Sequence, residues 1–365
     1  MEINTLLKGM IKQKASDMHV KVGSPPIYRI HGKLFRLQMP PISMDLINQF
    51  LKTLINEEQQ KRFSEKKELD FAYGVPEVGR FRINMFVQRG TPALAVRSVS
   101  LEVPEFDSLG FPEIMRDLSM KRQGLLLVTG ATGSGKSTAL ASMINHINEH
   151  VPLNIITIED PIEYLHKDKK GIVSQRELGQ DTDSFANALR GAMRQDPDVI
   201  LIGEIRDLET MNIALTAADT GHLVMSTLHT MNVAESISRI VSFYPPHQQD
   251  QVRLLLSGSL QAVISLRLLP RKDGKGRVPA CEVLVNTANI KELLLKPESN
   301  TEIMAAVQEG YTQYGSQSFD QAILRLMNDD KITFEVACLY ASNPDDFELK
   351  VRGIESTSDR SWSGV

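Results

Sequence analysis

A glycine-rich segment that ends in a lysine and a serine is the part of the sequence whose residue types point most directly to a chemistry. It reads Gly130, Ala131, Thr132, Gly133, Ser134, Gly135, Lys136 and Ser137, which matches the pattern G-x-x-x-x-G-K-[ST]. The apolar residues 125–128 before it predict a buried parallel strand, and residues 138–144 after it, beginning with Thr138, predict a helix. Strand, glycine-rich loop and helix, in that order, are the context in which this pattern binds phosphate groups.

Each residue type in this phosphate loop has a part in anion binding. Glycines allow positive φ, so that successive backbone N–H groups point inward and form a nest for an anion. The N-terminus of the following helix adds the positive end of its dipole. We expect Lys136 to reach the β- and γ-phosphates of a nucleotide and the Ser137 hydroxyl to bind Mg²⁺. The flanking strand and helix disfavour the alternative, a glycine turn beside a chance lysine.

Carboxylates follow the next apolar strand, which is predicted at residues 154–158. They are Glu159, Asp160 and Glu163. Ligands of open α/β sheets bind beyond the carboxyl ends of the strands. We expect this strand to be the neighbour of the phosphate-loop strand, so that one of these carboxylates can orient or deprotonate the water that attacks a γ-phosphate. A solvated acidic turn that caps the next segment is an equally open interpretation.

A third apolar strand, predicted at residues 199–202, also ends at an acid. Four apolar residues followed by a carboxylate are typical of the second motif of phosphate-loop ATPases, in which the carboxylate handles Mg²⁺ or its water shell. Here Gly203 stands where many such enzymes have an aspartate, and Glu204 follows. We therefore predict that Glu204 is the carboxylate on the metal side. The alternative is a buried strand with a solvated end.

Two histidines bracket a further strand, predicted at residues 222–227. Their odd spacing puts His222 and His229 on opposite faces of a continuous strand, which disfavours a shared metal ion. His229 would lie at the carboxyl end of a central strand, where a γ-phosphate sensor belongs. His222 begins the strand and, from position alone, is the weaker candidate. A structural role remains the alternative for both histidines.

Arginines occur on one face of a predicted strand near the N-terminus. Residues 79–88 alternate with period two, which places Arg80, Arg82 and Asn84 on one face and Phe81 on the other. That face is either solvated or bound to a phosphate, for which the planar fork of arginine is suited. Arg97, on a later strand, is a weaker candidate of the same kind.

The order of predicted elements indicates an α/β protein with two main parts and a helical end. Mixed strands and helices fill residues 1–100, and a segment rich in proline and glycine suggests a linker at 101–112. Strands and helices alternate over residues 113–285, which predicts a parallel sheet covered by helices. Helices are predicted over 286–353, and the polar residues 354–365 are expected to be disordered.

Composition narrows the class of protein. The 365 residues include 42% apolar and 24% charged residues with a net charge of −4, so no global field attracts nucleic acid. The two cysteines, Cys281 and Cys338, lie far apart, which disfavours a zinc module or a disulfide framework. No apolar run approaches the ~20 residues that a membrane span needs. We expect a cytoplasmic protein that reaches a membrane only through a partner.

Taken together, the ordered motifs resemble those of a known superfamily. They are the phosphate loop at 130–138, the acidic box at 158–164, a glycine-bearing second box at 198–207, a histidine box at 220–229, and shorter matches at 16–19 and 79–82. The sequence is similar, over nearly its whole length, to the type II/IV secretion ATPases, and within them to the PilT-like type IV pilus retraction ATPases.

The resemblance implies an architecture and roles for single residues. It implies an N-terminal PAS-like domain, a RecA-like ATPase domain and C-terminal helices, assembled as a homohexamer that binds ATP and Mg²⁺ between protomers. It further implies that Arg80 and Arg82 act in trans on a neighbour's nucleotide and that Glu163 is the catalytic carboxylate. Glu204 would be the acid of the second box, and His222 and His229 would be the family histidines.

The resemblance also implies a partner and leaves the branch of the family open. The partner is an inner-membrane platform protein at the base of the pilus, where ring motion would depolymerise pilin. Pilus-extension and secretion ATPases usually carry extra N-terminal domains and a four-cysteine zinc module, which favours the retraction branch here. However, residues 289–296 have Lys291 and Leu295 where retraction ATPases often have arginines. Two alternatives remain. One is an accessory retraction motor of the PilU-like branch that works with a second retraction ATPase, and the other is a nucleotide-switched regulator with little turnover.

Overall fold

The computed structural model describes residues 2–99, 102–297 and 299–352. It divides into two compact units, one comprising Met1–Glu102 with Ile162–Leu165 and the other Val103–Pro161 with His166–Val365. The disorder expected for residues 354–365 concerns residues outside the described ranges.

The first unit is built on a six-stranded antiparallel sheet with the order β3-β2-β1-β6-β5-β4. Its strands are β1 (Asp17–Lys21), β2 (Ile27–Ile30), β3 (Lys33–Arg36), β4 (Glu68–Val75), β5 (Gly79–Gln88) and β6 (Thr91–Ser98), and its helices are α1 (Ile3–Lys12), α2 (Met44–Leu54) and α3 (Glu57–Lys66). On α1 the residues Ile3, Leu6, Leu7 and Met10 are buried and form its apolar face.

Strand β5 confirms the predicted alternation. Phe81, Ile83 and Met85 are fully buried in the core of the first unit, whereas Arg82 is exposed. Because successive side chains of a strand point to opposite faces, the arginine face of β5 is turned away from that core.

The second unit contains a seven-stranded sheet with the order β13-β12-β7-β11-β10-β8-β9. Its strands are β7 (Gly124–Thr129), β8 (Asn154–Glu159), β9 (Ile172–Glu177), β10 (Val199–Ile202), β11 (Leu223–Leu228), β12 (Leu260–Pro270) and β13 (Arg277–Val285). All neighbours pair in parallel except β12 and β13, which form an antiparallel hairpin. The α/β class is therefore confirmed.

Helices cover both faces of this sheet. They are α4 (Ile114–Ser119), α5 (Lys136–His150), α6 (Phe185–Ala192), α7 (Leu208–Asp219), α8 (Val233–Ser242), α9 (Gln249–Ser259), α10 (Ala288–Leu294), α11 (Asn300–Glu309), α12 (Tyr311–Tyr314), α13 (Phe319–Asn328), α14 (Phe334–Tyr340) and α15 (Pro344–Val351), with two short 3₁₀ turns at Phe106–Leu109 and Pro246–Gln248. Strand β7 shows the two layers: Leu125 and Leu127 belong to the core on one face, and Leu126 and Val128 to the core on the other. Within the described ranges, none of the helices combines the length and the apolar character that crossing a bilayer requires.

One expectation about this sheet is wrong. The strand that precedes the acidic box, β8, is not the neighbour of the phosphate-loop strand, because β11 and β10 lie between β7 and β8. The two strands in contact with β7 are β11 and β12. The error has a physical reason: β8, β10 and β11 are equally apolar parallel strands, so their order in the sheet is not encoded in their local pattern. The strand of the histidine box, β11, is thus one of the two strands next to the phosphate-loop strand.

Candidate active site

The phosphate loop, residues 130–137, links β7 to α5 and depends on glycine at several positions. Gly130, Gly133 and Gly135 have φ values of +136°, +78° and +97°. A Cβ atom on Gly130 would lie 2.6 Å from the carbonyl oxygen of Leu266 on β12, which no real Cβ contact tolerates. The loop therefore takes a course that a side chain at Gly130 would block, and it runs close against the neighbouring strand.

Lys136 is held inside this loop. Its side chain is largely buried, with 9% of its surface exposed, and its Nζ donates to the carbonyl oxygens of Gly130 at 2.8 Å and Ala131 at 3.0 Å. Burial of an ammonium group is costly unless it meets acceptors or an anion. The loop carbonyls thus keep the charge at the centre of the nest.

Other polar groups of the loop fit an anionic ligand. Within the described part of the chain, the buried Oγ of Ser134 has no hydrogen-bond partner, while Ser137 is exposed. The first turn of α5 contains no acidic residue, and Gly135 offers its amides no side-chain cap. Those first-turn N–H groups have no partner within the helix and suit a phosphate at the positive end of the helix dipole.

A cavity of about 870 Å³ opens beside the phosphate loop. Ser134, Gly135 and Thr138 form part of its wall, residues 107–113 form another part, and its basic side chains come from the hairpin and the C-terminal helices: Arg271, Arg277, Arg325 and Lys331. Arg277 Nη1 lies 3.5 Å from the carbonyl oxygen of Gly133. This volume suits a small ligand such as a nucleoside.

Sequence reasoning missed this cavity. The sequence suggests only a linker at residues 101–112, and no local pattern marks the β12–β13 turn as part of a ligand site. The available signal was the basic character of the hairpin, with Arg271 and Arg277 on its two arms.

Glu204 is the centre of a charged cluster at the carboxyl edge of the sheet. It follows β10, and its side chain is 13% exposed. One carboxylate oxygen accepts from Arg206, and the other lies 3.1 Å from Nε2 of His229, which follows β11. The hydrogen bond to Glu204 raises the pKa of Arg206, whose Nη1 also lies 3.7 Å from a carboxylate oxygen of Asp160. The structure thus brings together two residues, Glu204 and His229, that the sequence nominated separately.

Gly203 has a structural reason for replacing the more usual aspartate. A Cβ atom at this position would lie 3.3 Å from Cα of Glu159 and 3.3 Å from the carbonyl oxygen of Ile158. The end of β10 therefore approaches the backbone of β8 so closely that a side chain at this position would require a small shift of β8. Its carbonyl oxygen accepts from Thr227 Oγ1 at 2.7 Å, which fixes the end of β10 against β11.

His222 lies at the other end of β11. Its Nδ1 is 3.0 Å from the carbonyl oxygen of Ala217, and its own carbonyl oxygen accepts from the amide of Gly124 at the start of β7. A strand rises about 3.3 Å per residue, so His222 and His229 are separated by roughly 20 Å. Within this chain, His222 does not join the cluster around Glu204.

The three acids of the acidic box have different surroundings. Glu159 Oε1 accepts from Thr157 Oγ1 at 2.7 Å and from Gln175 Nε2 at 3.0 Å, contacts that join β8 to β9. Glu163 is exposed and lies in the segment Ile162–Leu165, which belongs to the first unit. The structure therefore places the predicted catalytic carboxylate outside the unit that carries the phosphate loop.

Two of the three candidate arginines lie close together on the arginine face of the first unit. Arg82 on β5 stands directly opposite Arg97 on β6, and both line a small cavity of about 280 Å³ with Asp17 and Asp70. Arg97 Nε donates to Asp17 Oδ1 at 2.9 Å, yet 71% of the Arg97 side chain is exposed. Arg80, two residues before Arg82, is half-buried. Like charges opposite each other on a sheet are destabilising unless anions lie nearby, and here Asp17 supplies one such anion to Arg97.

Comparison with known proteins places the chain among nucleotide-driven motors. Residues 1–329 match the family model described as type II/IV secretion system protein. The chain is 39% identical, over 98% of its own length and 94% of the relative's, to the type IV pilus ATPase PilU of Pseudomonas aeruginosa. It is 42% identical, over 95% of its length and 100% of the relative's, to the type IV pilus retractation ATPase PilT of the same organism.

The fold is also that of a solved relative. A crystal structure of the pilus retraction motor PilT with bound ADP superimposes with a TM-score of 0.87 at 44% identity, covering 95% of this chain and 99% of that one.

Proposed function

This chain belongs to the type II/IV secretion system protein family, and from that membership we propose that it is a Mg²⁺-dependent ATPase motor that powers type IV pilus retraction. The observation that carries the proposal is the phosphate loop, in which Lys136 Nζ is buried among loop carbonyls beside a helix N-terminus without acids. These features suit a triphosphate chain, and the relatives named for pilus retraction supply the biological setting.

The residues of the second unit would divide the work on ATP. Lys136 and the loop amides hold the phosphates, and Ser134 Oγ offers a further donor. Ser137 and Glu204 hold Mg²⁺, which neutralises charge that develops on the phosphate oxygens. The cavity lined by residues 107–113 and by Arg277 receives the adenosine part of the nucleotide.

His229 would report the state of the γ-phosphate. Its Nε2 shares the Glu204 carboxylate with Arg206, so a phosphate that attracts either side chain changes the hydrogen bonds of the other. Glu163 would orient or deprotonate the attacking water. His222, at the other end of β11, keeps its assignment as a family histidine but acts away from this cluster.

The assembly that we propose is a homohexamer with nucleotide between protomers. The first unit, whose domain we place at residues 1–100, is a PAS-like domain, and residues 113–285 form the RecA-like core. The protein works in the cytoplasm at the inner-membrane base of the pilus, where a platform protein receives its motion. Arg80, Arg82 and Arg97 would meet a neighbour's phosphates, a role that fits two arginines facing each other across β5 and β6.

A mixing experiment tests the arginines in trans. Arg80→Ala and Lys136→Ala each remove a different part of a site shared by two protomers, so each variant alone should lose most turnover. For an arginine supplied in trans, the loss should be about 10³-fold or more. Rings assembled from both variants contain some sites with both residues intact and should regain measurable phosphate release. Titration of one variant against the other is the measurement. Absence of recovery at every ratio would remove the support for trans action.

A second candidate rests on the segment at residues 289–296. Lys291 and Leu295 stand there in place of arginines, and 46% of the Leu295 surface is exposed. The chain also matches the PilU relative over 98% of its length. An accessory retraction motor, or a regulator switched by nucleotide, would fit that departure. Steady-state turnover of the purified protein separates the regulator from the motor.

Deletion of the coding gene tests the proposed function in cells. Loss of a retraction motor should leave cells hyperpiliated and unable to twitch, whereas loss of an extension motor leaves them bald. Pilus counts by electron microscopy and twitching zones on agar give the answer. Complementation with the wild-type chain and with Lys136→Ala shows whether ATP chemistry is required. Bald cells after deletion contradict the proposal.

A further inference from the structure

Glu282 is a carboxylate buried in the second unit, outside the phosphate site. It lies on β13, only 2% of its surface is exposed, and burial raises its pKa from 4.5 to about 7. A buried acid is costly to keep and requires hydrogen-bond donors around it. The function proposed above gives Glu282 no part, so its partners indicate what else it does.

The partners of Glu282 are the starts of two different helices. The amide of Val233, the first residue of α8, donates to Glu282 Oε1 at 2.7 Å. The amide of Phe319, the first residue of α13, faces the same carboxylate and favours its ionised form. Both helices have ten residues and their own N-caps, Asn232 and Ser318. Glu282 is therefore an additional acceptor shared by two positive helix ends.

The start of α8 is tied to the nucleotide site. His229 lies three residues before the N-cap of α8. Thr230 Oγ1 lies 2.7 Å from Ser236 Oγ in the first turn of that helix. Ser236 Oγ in turn donates to Thr129 Oγ1 at 3.4 Å, and Thr129 is the residue immediately before the phosphate loop. Both the histidine segment and the phosphate loop thus contact the turn that Glu282 holds.

The start of α13 is fixed on the other side. Arg267 of β12 places its guanidinium 3.7 Å from the centre of the Phe319 ring and donates to the carbonyl oxygen of Tyr340 at 2.9 Å. Arg267 from β12 and Asp320 from α13 are the charged groups that face Glu282. Arg267 favours the ionised carboxylate, and Asp320 opposes it. The Glu282 carboxylate therefore lies between the starts of α8 and α13.

We propose that Glu282 is a positioning residue that couples the nucleotide site to the C-terminal helices, by holding the first turns of α8 and α13 on one carboxylate. The coupling rests on the ATPase function proposed above. A shift of the His229 segment with nucleotide state moves the start of α8, and the shared carboxylate carries that shift to α13. Helix α13 is attached to β13 in other ways as well, because Gln317, the residue before its N-cap, exchanges backbone hydrogen bonds with Val283. The carboxylate therefore governs the response of the first turn of α13 and not its attachment.

Hydrogen exchange of the full chain with and without ADP tests the coupling. In the wild type, ADP should slow exchange at the phosphate loop, in residues 232–236 of α8 and in residues 318–322 of α13. Glu282→Gln keeps the size of the side chain, but its NH₂ group cannot accept from a second amide. In this variant ADP should still protect the loop and α8, while the ADP-dependent slowing at 318–322 is lost.

Asn286→Ala provides the matched control. Asn286 follows β13 directly, and its Nδ2 donates to the carbonyl oxygens of Ser257 and Leu260 at 3.0 and 2.7 Å, so its loss also removes polar contacts of this strand. It bridges no pair of helix N-termini, and ADP should still slow exchange at 318–322. The cavity beside the phosphate loop also contains Arg325 of α13, which is a second possible route to that helix. Slowing at 318–322 that persists in Glu282→Gln would assign the effect to that route and overturn the proposal.

The pH dependence of stability gives a second readout, which an uncharged side chain at position 282 would not show. The folded pKa of Glu282, about 7, lies above the ordinary value of 4.5. Its stabilising contribution is therefore complete below about pH 4.5 and is lost as the pH rises through about 7. From about pH 4.5 to about pH 7, the Tm of the wild type should fall relative to that of Glu282→Gln. Parallel Tm profiles would show that Glu282 does not titrate there, against the proposal.

Failure of this inference is distinguishable from failure of the proposed function. If ADP protects no residue of the phosphate loop in the wild type and ATP is not hydrolysed, the ATPase function itself is wrong. If the wild type hydrolyses ATP and its loop is protected, but 318–322 respond equally in wild type and Glu282→Gln, only the coupling is wrong.

Discussion

Lys136→Ala should reduce ATP turnover by at least about 10²-fold, the cost of removing one preorganised donor from a site that stabilises developing charge. Lys136 carries its positive charge into the centre of the phosphate loop, where Gly130 and Ala131 hold its Nζ. Alanine leaves the backbone nest but removes the cation that faces the β- and γ-phosphates. Phosphate release from the purified variant with saturating MgATP measures the effect.

A matched lysine on the same unit controls for loss of charge alone. Lys169 forms an ion pair with Glu149 near the far end of α5, and the two side chains are 39% and 40% exposed. Exposed pairs contribute about 0–1 kcal/mol, so Lys169→Ala should leave turnover unchanged. ADP should raise the Tm of the wild type and of Lys169→Ala, because it binds only the folded state, and should do so far less for Lys136→Ala. Equal turnover in the two variants would show that Lys136 does not contact the phosphates.

Most elements of the fold could be predicted because their patterns are local. The apolar run of β7 and the capping residue of α7, Asp207, which accepts from the amide of Thr210, are visible in a few neighbouring residues. Strand β9 was missed for the same reason. It is an edge strand in which Ile172 is 54% exposed and Ser174 is also exposed, so its pattern resembles that of a loop.

Helix α9 was also missed. Leu254 and Leu255 of this helix are 62% and 38% exposed, so their apolar character does not mark a buried stripe. A helix whose apolar residues face outward has no clear period of burial, and its assignment needs the packing partners that the sequence alone does not reveal.

The candidate site was predictable in its parts but not in its arrangement. Each motif lies at the end of a strand, and the sequence shows that position directly. The contact between Glu204 and His229 arises because β10 and β11 are neighbours, which depends on the strand order that we predicted wrongly for β8. The cavity beside the loop combines residues 107–113 with Arg277, more than a hundred and fifty residues later, and no local pattern links them.

Glu204→Gln should lower kcat by about 10²–10³-fold while nucleotide binding is retained, because it removes charge stabilisation rather than the phosphate nest. Glutamine has nearly the same shape and still accepts one hydrogen bond, but it brings no negative charge to Mg²⁺. It also leaves Arg206 with Asp160 as its remaining acidic partner in the cluster, at 3.7 Å. Titration calorimetry with MgADP and steady-state kinetics separate binding from turnover.

Glu209→Gln is the matched control for this change. Glu209 also pairs with an arginine, Arg190, but on the surface of α7, where its side chain is 60% exposed. Removing that charge should cost about 0–1 kcal/mol of stability and nothing in turnover. If Glu204→Gln hydrolyses ATP as fast as Glu209→Gln, the carboxylate after β10 only orients Arg206 and His229. A different acid would then have to bind Mg²⁺. The carboxylates of Glu159 and Asp160 lie at the same edge of the sheet, so the same two measurements on their amide variants would identify that acid.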